Sequence, residues 1–166
     1  MKKGFYAKDT NMYYEHTLKG ADHHIEIEKR PDRRYVLNTD DYTWSLPIET
    51  VQSEKHNLIT AERDKRILEG FSFNGFQIQA DSGSQAIAHQ YLTKQIAGMV
   101  VFPITWRTMD NQYMQIIDSV EFTAFTDAMT AHINGHFAES WTAKDQIDSA
   151  VSVEEVETIF NTYMEA

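Results

Sequence analysis

Asn74-Gly75, set between Phe71, Phe73 on one side and Phe76, Ile78 on the other, narrows the folding options of this chain more than any other feature. Both central residues of a two-residue hairpin turn need φ > 0, a region that Asn and Gly enter most readily. The flanking residues alternate apolar and polar, so each strand offers one apolar face. A short hairpin cannot cover that face alone, and the remaining chain has to supply the cover. Asp81 or Ser82 caps a helix running to about Ala97, with Ala86, Ile87, Tyr91, Leu92 and Ile96 on its buried side and Gly98 as its stop. Val100–Trp106 and Tyr113–Ile117 flank a turn around Asp110-Asn111 and form a second hairpin. Asp118 and Glu121 make a capping box for a long helix whose Phe122, Phe125, Met129, Ile133 and Phe137 keep the 3.6-residue period, with Trp141 extending the same face. Ser152 and Glu155 open a last helix carrying Val156, Ile159, Phe160 and Tyr163. Residues 70–166 therefore read as an α+β domain, two β-hairpins packed with three helices. Its expected core is Phe71, Phe76, Ile78, Ile104, Trp106, Phe122, Phe125, Met129, Ile133 and Phe137.

Upstream, Pro47 suits a helix start and Gly70 its end, which sets residues 47–69 as a connector helix. Its apolar residues Ile48, Val51, Leu58, Ile59, Ile67 and Leu68 recur loosely, and charge dominates its middle from Glu54 to Arg66. So thin a seam needs a partner, either the following domain or a second helix of the same kind. Residues 1–46 read as a small β-rich arm. Glu26–Pro31, Arg34–Leu37 and Tyr42–Trp44 are its short extended pieces, and Pro31 ends the first because it donates no ladder hydrogen bond.

Size and charge exclude several classes. At 166 residues, one domain, or one domain with a small arm, is the expected count. The absence of cysteine removes disulfide scaffolds, thiolate metal sites and cysteine nucleophiles. A net charge of −10 opposes binding to phosphate backbones, and the basic cluster Lys29-Arg30, Arg33-Arg34 is diluted by Glu26, Glu28 and Asp32. No nucleic acid partner and no membrane partner are expected, since no apolar run approaches the ~18 residues of a spanning helix. Met1-Lys-Lys-Gly-Phe-Tyr-Ala7 carries the charge of a signal peptide without its apolar stretch, so synthesis in a cytoplasm is expected.

Candidate sites are few. His132 and His136 stand at i and i+4, a spacing that lets two imidazoles share a metal, and His23-His24 is the only further histidine pair. No glutamate follows His132 and spacing indicates no third ligand, so a satisfied, partly buried histidine is the favoured reading. Ser82, His89 and Asp81 share one helix without a nucleophile elbow, so they do not compose a triad. Trp106-Arg107 on a hairpin offers a stacking surface and a carboxylate grip, unless Trp106 packs inward and Arg107 pairs with Asp110 across the turn. In the arm, Tyr6, Tyr13, Tyr14, Tyr35 and Trp44 are amphipathic anchors of the kind enriched at interfaces. With Arg107 they form the expected partner-binding set. No catalytic residue and no cofactor is expected.

From about Leu68 to Phe160, the order Gly70, Asn74-Gly75, Asp81-x-x-Ser84-Gln85, Trp106-Arg-Thr-x-Asp-Asn111, then Ile147, Ala150, Glu155 and Ile159 resembles an uncharacterised domain at the C-terminal ends of bacteriophage tail-fibre and tail-assembly proteins. Arg30-Pro-Asp-x-x-Tyr35 followed by Trp44 is similar to the openings of tail-fibre assembly proteins. The resemblance implies a non-enzymatic structural or interaction protein of a tail, baseplate or fibre, made in the host cytoplasm and residing in the virion tail. Its partners would be other tail proteins or further copies of itself. The implied alternative is a fibre-assembly chaperone that leaves the particle, and a third is a metal-dependent enzyme using His132 and His136. Because the chain lacks the fibre-like N-terminal region of longer members, docking through the arm is the expectation.

Overall fold

The computed structural model describes residues 2–8, 10–16 and 24–166. They divide into two compact units, one of residues 1–54 with 151–153 and one of residues 55–150 with 154–166. The fold is mixed α+β, built among the described residues from small antiparallel ribbons and four helices.

In the first unit, β1 (Lys3–Ala7) pairs antiparallel with β2 (Met12–His16) and with β3 (Ile25–Ile27), in the order β2-β1-β3. β4 (Val36–Leu37) pairs with β5 (Trp44–Ser45). The β1–β2 hairpin was not anticipated. Its Phe5, Tyr6 and Ala7 are buried in succession, so the alternation that announces a half-buried strand is missing. Asn11, at φ 55°, closes the turn. The first two expected extended pieces shorten because the Arg30 guanidinium turns back to the Tyr35 carbonyl, 2.7 Å from Nη2, and holds the intervening residues as a turn. The third starts only at Trp44 because Tyr42, at φ 61°, is in the left-handed region. The basic cluster is engaged in pairs: Lys29 with Glu15 at 3.2 Å, and Arg34 with Asp32 at 2.9 Å and Glu54 at 3.2 Å.

α1 (Ile48–Leu68) runs across the division. From Lys55 onward, its cations make the contacts that its thin seam does not. Lys55 lies 4.1 Å from the Phe160 ring centroid, Arg63 4.3 Å from Phe137 and Arg66 4.7 Å from Tyr163, while Arg66 Nη2 also donates to the Tyr163 carbonyl at 2.9 Å. Each such cation–π contact contributes about 0.5–2 kcal/mol. Long side chains thus cover ring faces, while Ile59 and Ile67 of the same helix are buried.

The second unit continues with β6 (Phe71–Phe73) and β7 (Phe76–Ile78), joined by Asn74 at φ 48° and Gly75 at φ 81° as the turn chemistry requires. α2 (Ser82–Ile96), the β8 (Ile104–Arg107)–β9 (Tyr113–Ile116) ribbon, α3 (Ser119–Ser149) and α4 (Val153–Glu165) follow. The core joins both ribbons, α2 and α3 through Phe71, Ile78, Ile104, Trp106, Phe122, Phe125 and Met129, with Phe76, Ile133 and Phe137 packed against it. Ile67, Ala80, Ala88, Met114 and Ile116 complete it. Glu121 does not close a capping box on Asp118. Its carboxylate instead accepts from the Ile117 amide at 2.7 Å and from Asn74 Nδ2 at 2.6 Å, tying α3 to the first turn.

Two helix faces differ from expectation. α2 buries Ala88, half-buries Tyr91 and Leu92, and leaves Ile87 and Ile96 exposed, the latter at 83%. A mean apolar stripe could not decide between Ile87 and Ala88, because it does not show that Ile87 lines an open cleft beside β8 while Ala88 packs into the core. Trp141 is 58% exposed, and Ser140 takes the buried position, its hydroxyl donating to the Phe137 carbonyl at 2.8 Å.

Candidate functional site

The first unit gathers its aromatic residues into a cleft of about 310 Å³. The register that sets Tyr6 opposite Tyr13 puts both rings on one face of the β1–β2 ribbon, whereas Phe5 and Tyr14 stack on the other at 5.5 Å. Tyr6, Tyr13, Tyr35 and Trp44 therefore line the cleft together with Arg30, and Tyr14 does not. Tyr14 meets His24 instead, with its hydroxyl 2.7 Å from Nδ1.

Most polar tips in this cleft are already engaged. Tyr6 hydrogen-bonds Asn11, and Tyr13 accepts from the Arg30 amide at 2.8 Å and donates to Glu15 at 3.0 Å. Burial raises the Tyr13 phenol above its ordinary pKa, with Glu15 adding to the shift. Trp44 Nε1 donates to the Glu28 carbonyl at 2.8 Å, and its ring stands edge-on to Tyr13 at 4.8 Å. Arg30 lies 5.7 Å from the Trp44 centroid, with Nε donating to the Tyr35 carbonyl at 3.0 Å. What remains for a ligand is mainly ring surface on a polar-braced frame, suited to an apolar side chain or a proline of another protein.

A second cleft, of about 340 Å³, lies in the other unit between the start of α2 and β8. Here the two motif strings converge, Asp81 and Ser84 from one and Trp106 and Arg107 from the other. Most of their residues serve the fold. Asp81 Oδ1 accepts from the amides of Gly83 at 2.8 Å and Ser84 at 3.0 Å, and Oδ2 from the Ser84 hydroxyl at 2.9 Å. Ser84, and then Gly83, hold the Asp81 carboxyl below the usual carboxylate range. Thr108 Oγ1 bonds Asp110, and the Thr108 carbonyl accepts from Asn111, at φ 63°, at 3.0 Å. This is a three-residue loop with Asn in the left-handed region. Asp110 thus pairs within its own loop and not with Arg107. The groups left over are the Arg107 guanidinium, with no ion pair among the described residues, and Gln79 Oε1, enclosed without a donor. Trp106 is inward at 5% exposure, while Arg107, next in the strand, faces outward.

The histidine pair is arranged for packing. His132 Nε2 donates to the Ile67 carbonyl at 3.2 Å, and His136 Nδ1 lies 3.2 Å from Glu139 Oε2. The rings meet edge-on at 4.8 Å. Among the described residues no group of three or more His, Cys, Asp or Glu is placed to hold a metal, and His23 lies outside those residues. No helix among the described residues is long and apolar enough to cross a membrane.

Sequence reasoning named the aromatic anchors one by one but missed Arg30 as their common brace; its place between Glu28, Tyr35 and Trp44 depends on a turn that local pattern does not encode. No curated protein and no solved structure matches the chain. One family model does, over residues 50–161, more than half of the length, and the chain belongs to that family, described as Domain of unknown function (DUF4376).

Proposed function

We propose that the chain is a structural or interaction protein of a bacteriophage tail, a tail, baseplate or fibre-associated virion component that docks through the aromatic cleft of its first unit. The observation that carries the reading is the convergence of Tyr6, Tyr13, Tyr35 and Trp44 on one cleft braced by Arg30. Aromatic rings supply large contact area at low side-chain entropic cost. The tail context is supported by the resemblance of the Asp-x-x-Ser-Gln and Trp-Arg-Thr-x-Asp-Asn strings and of the Arg30–Trp44 segment. A non-enzymatic role is supported by the engagement of Asp81, Ser84, His132 and His136 in local hydrogen bonds. The partners would be other tail proteins, a second copy of the chain included.

Quantitative mass spectrometry of purified virions tests this reading. The chain is expected in the particle, and Trp44→Ala or Tyr35→Ala should lower its incorporation about tenfold or more, as removal of an aromatic hot spot does. A protein required for infectious particles yet absent from them would overturn the virion assignment in favour of an assembly chaperone.

A further inference from the structure

The loop closing the β8–β9 ribbon fixes which way each backbone group of β8 points. Thr108 donates from its amide to the Gln112 carbonyl at 3.0 Å, so the Thr108–Gln112 pair is hydrogen-bonded. Antiparallel pairs alternate between hydrogen-bonded and open. With Trp106 opposite Met114 and Ile104 opposite Ile116, those two residues turn their amides and carbonyls toward β9. Thr105 and Arg107 consequently turn theirs outward, away from β9, the only strand that pairs with β8 among the described residues. Two donors and two acceptors thus stand along a free edge, and this edge borders the α2 cleft.

The opposite wall is one face of α2, presenting Ser84, Ile87 and Tyr91. Lys94 follows one turn later on that face, its Nζ 5.9 Å from the Tyr91 centroid. One cation and one carboxylate line the cleft: Arg107 makes no ion pair among the described residues, whereas both oxygens of the Asp81 carboxylate are already held by three hydrogen bonds at the α2 cap, so Arg107 is the charge left for a ligand. Nearby, the Met109 amide already donates to the Gln77 carbonyl at 2.9 Å, so the β7 and β8 chains meet at that point and then diverge around the opening.

We infer that this edge docks an extended acidic peptide segment of a partner protein, added as a strand to β8 with a side-chain carboxylate on Arg107. The alternating donors and acceptors of Thr105 and Arg107 match those of an extended chain, which neither a sugar nor a free anion offers. Arg107 supplies planar, paired donors for the carboxylate. Pro103, just before β8, limits the added strand to a few residues. This surface belongs to the DUF4376 region and is independent of the aromatic cleft, so either stands if the other fails.

The test uses the full chain and end-capped pentapeptides Thr-Val-Xaa-Val-Thr, with Xaa glutamate, glutamine or lysine, followed by fluorescence anisotropy. The glutamate peptide should bind about tenfold or more tighter than the lysine peptide, the scale of one charged hydrogen bond. Arg107→Gln should remove that preference while leaving the thermal midpoint unchanged. N-methylation should weaken binding at one of two adjacent peptide positions and not at the other, since only alternate amides face β8. Equal affinity of the three peptides, no binding at millimolar concentration, or a preference surviving Arg107→Gln would overturn the proposal. So would insensitivity to N-methylation, or displacement of the peptide by acetate or glucuronate at matched concentration.

Discussion

In the unit of residues 55–150 and 154–166, Phe122 and Phe125 are fully enclosed, and Phe125 meets the rings of Phe71, Phe73, Trp106 and Phe122 at centroid distances of 4.8–6.3 Å. In the unit of residues 1–54 and 151–153, the rings of Tyr13, Tyr35 and Trp44 stay half-buried around an open cleft. One cluster is mainly phenylalanine, with Trp106 among it, and gains stability from removing the rings from water, while the cleft of the other unit is lined by tyrosine and tryptophan, and hydrogen bonds hold the tips of Tyr6, Tyr13 and Trp44. The difference follows from residue type. A phenylalanine leaves nothing to satisfy when enclosed, whereas tyrosine and tryptophan need a partner for O–H or N–H and are content at a surface. The first arrangement encloses its rings, while the second leaves ring faces open, as the proposed docking requires.

The sharpest way to break this contrast is Phe125→Ala. It should lower stability by about 3–5 kcal/mol, the range for enclosed aromatic truncations. Trp44→Ala, which removes one hydrogen bond and one aromatic contact from a half-buried ring, should shift the same urea transition by a smaller amount, about 1–2 kcal/mol. A loss below about 1 kcal/mol for Phe125→Ala would mean the aromatic cluster is not the stabilising core. Next in size is Gly70→Ala. At φ 75°, its Cβ would collide with the Ile78 carbonyl oxygen and lie 2.8 Å from Met109 Sδ, so about 2–3 kcal/mol is expected from strain and clash together. Gly75→Ala, at φ 81° with open space around it, should cost about 1 kcal/mol from conformation alone. Equal losses at the two glycines would remove the close approach of the ribbons from the account.

The smallest effect belongs to the cap. Asp81→Ala should cost about 1 kcal/mol at neutral pH. Because hydrogen bonds from Ser84 and Gly83 hold the folded-state pKa of Asp81 below its unfolded value, the ionised cap contributes fully above the unfolded pKa. Its contribution is lost as pH falls through the folded value. Urea titrations should therefore show the gap between wild type and Asp81→Ala intact down to about pH 4 and narrowing below it. A gap that widens in acid would contradict the assignment.

Much of the second unit was legible because its signals are local. Asn74-Gly75 specifies its turn by φ alone, Asp81 and Asp118 mark their helices by capping, and the Phe122–Phe137 stripe fixes the buried face of α3. What failed depends on neighbours. The choice of Ala88 over Ile87 on α2, and of Ser140 over Trp141 on α3, reflects how closely other elements approach, which periodicity does not measure. α1 looked underfurnished for packing because its contacts run through Lys55, Arg63 and Arg66, counted as polar by any apolar pattern. Of the candidate partner-binding residues, Tyr6, Tyr13, Tyr35 and Trp44 share one cleft, but only the cross-strand register reveals that Tyr14 faces away and that Arg107 serves a different unit.

The arm's role as the docking surface is tested most directly by hydrogen exchange at Glu26–Trp44, in the free protein and in purified particles. The β4–β5 ladder is only two residues long on each strand, so this segment should open at small free-energy cost. The account predicts rapid exchange across it in the free protein while the α3 core stays protected, and slowing by about a hundredfold or more in the particle. Protection in the free protein equal to that of α3, or exchange unchanged on assembly, would contradict it.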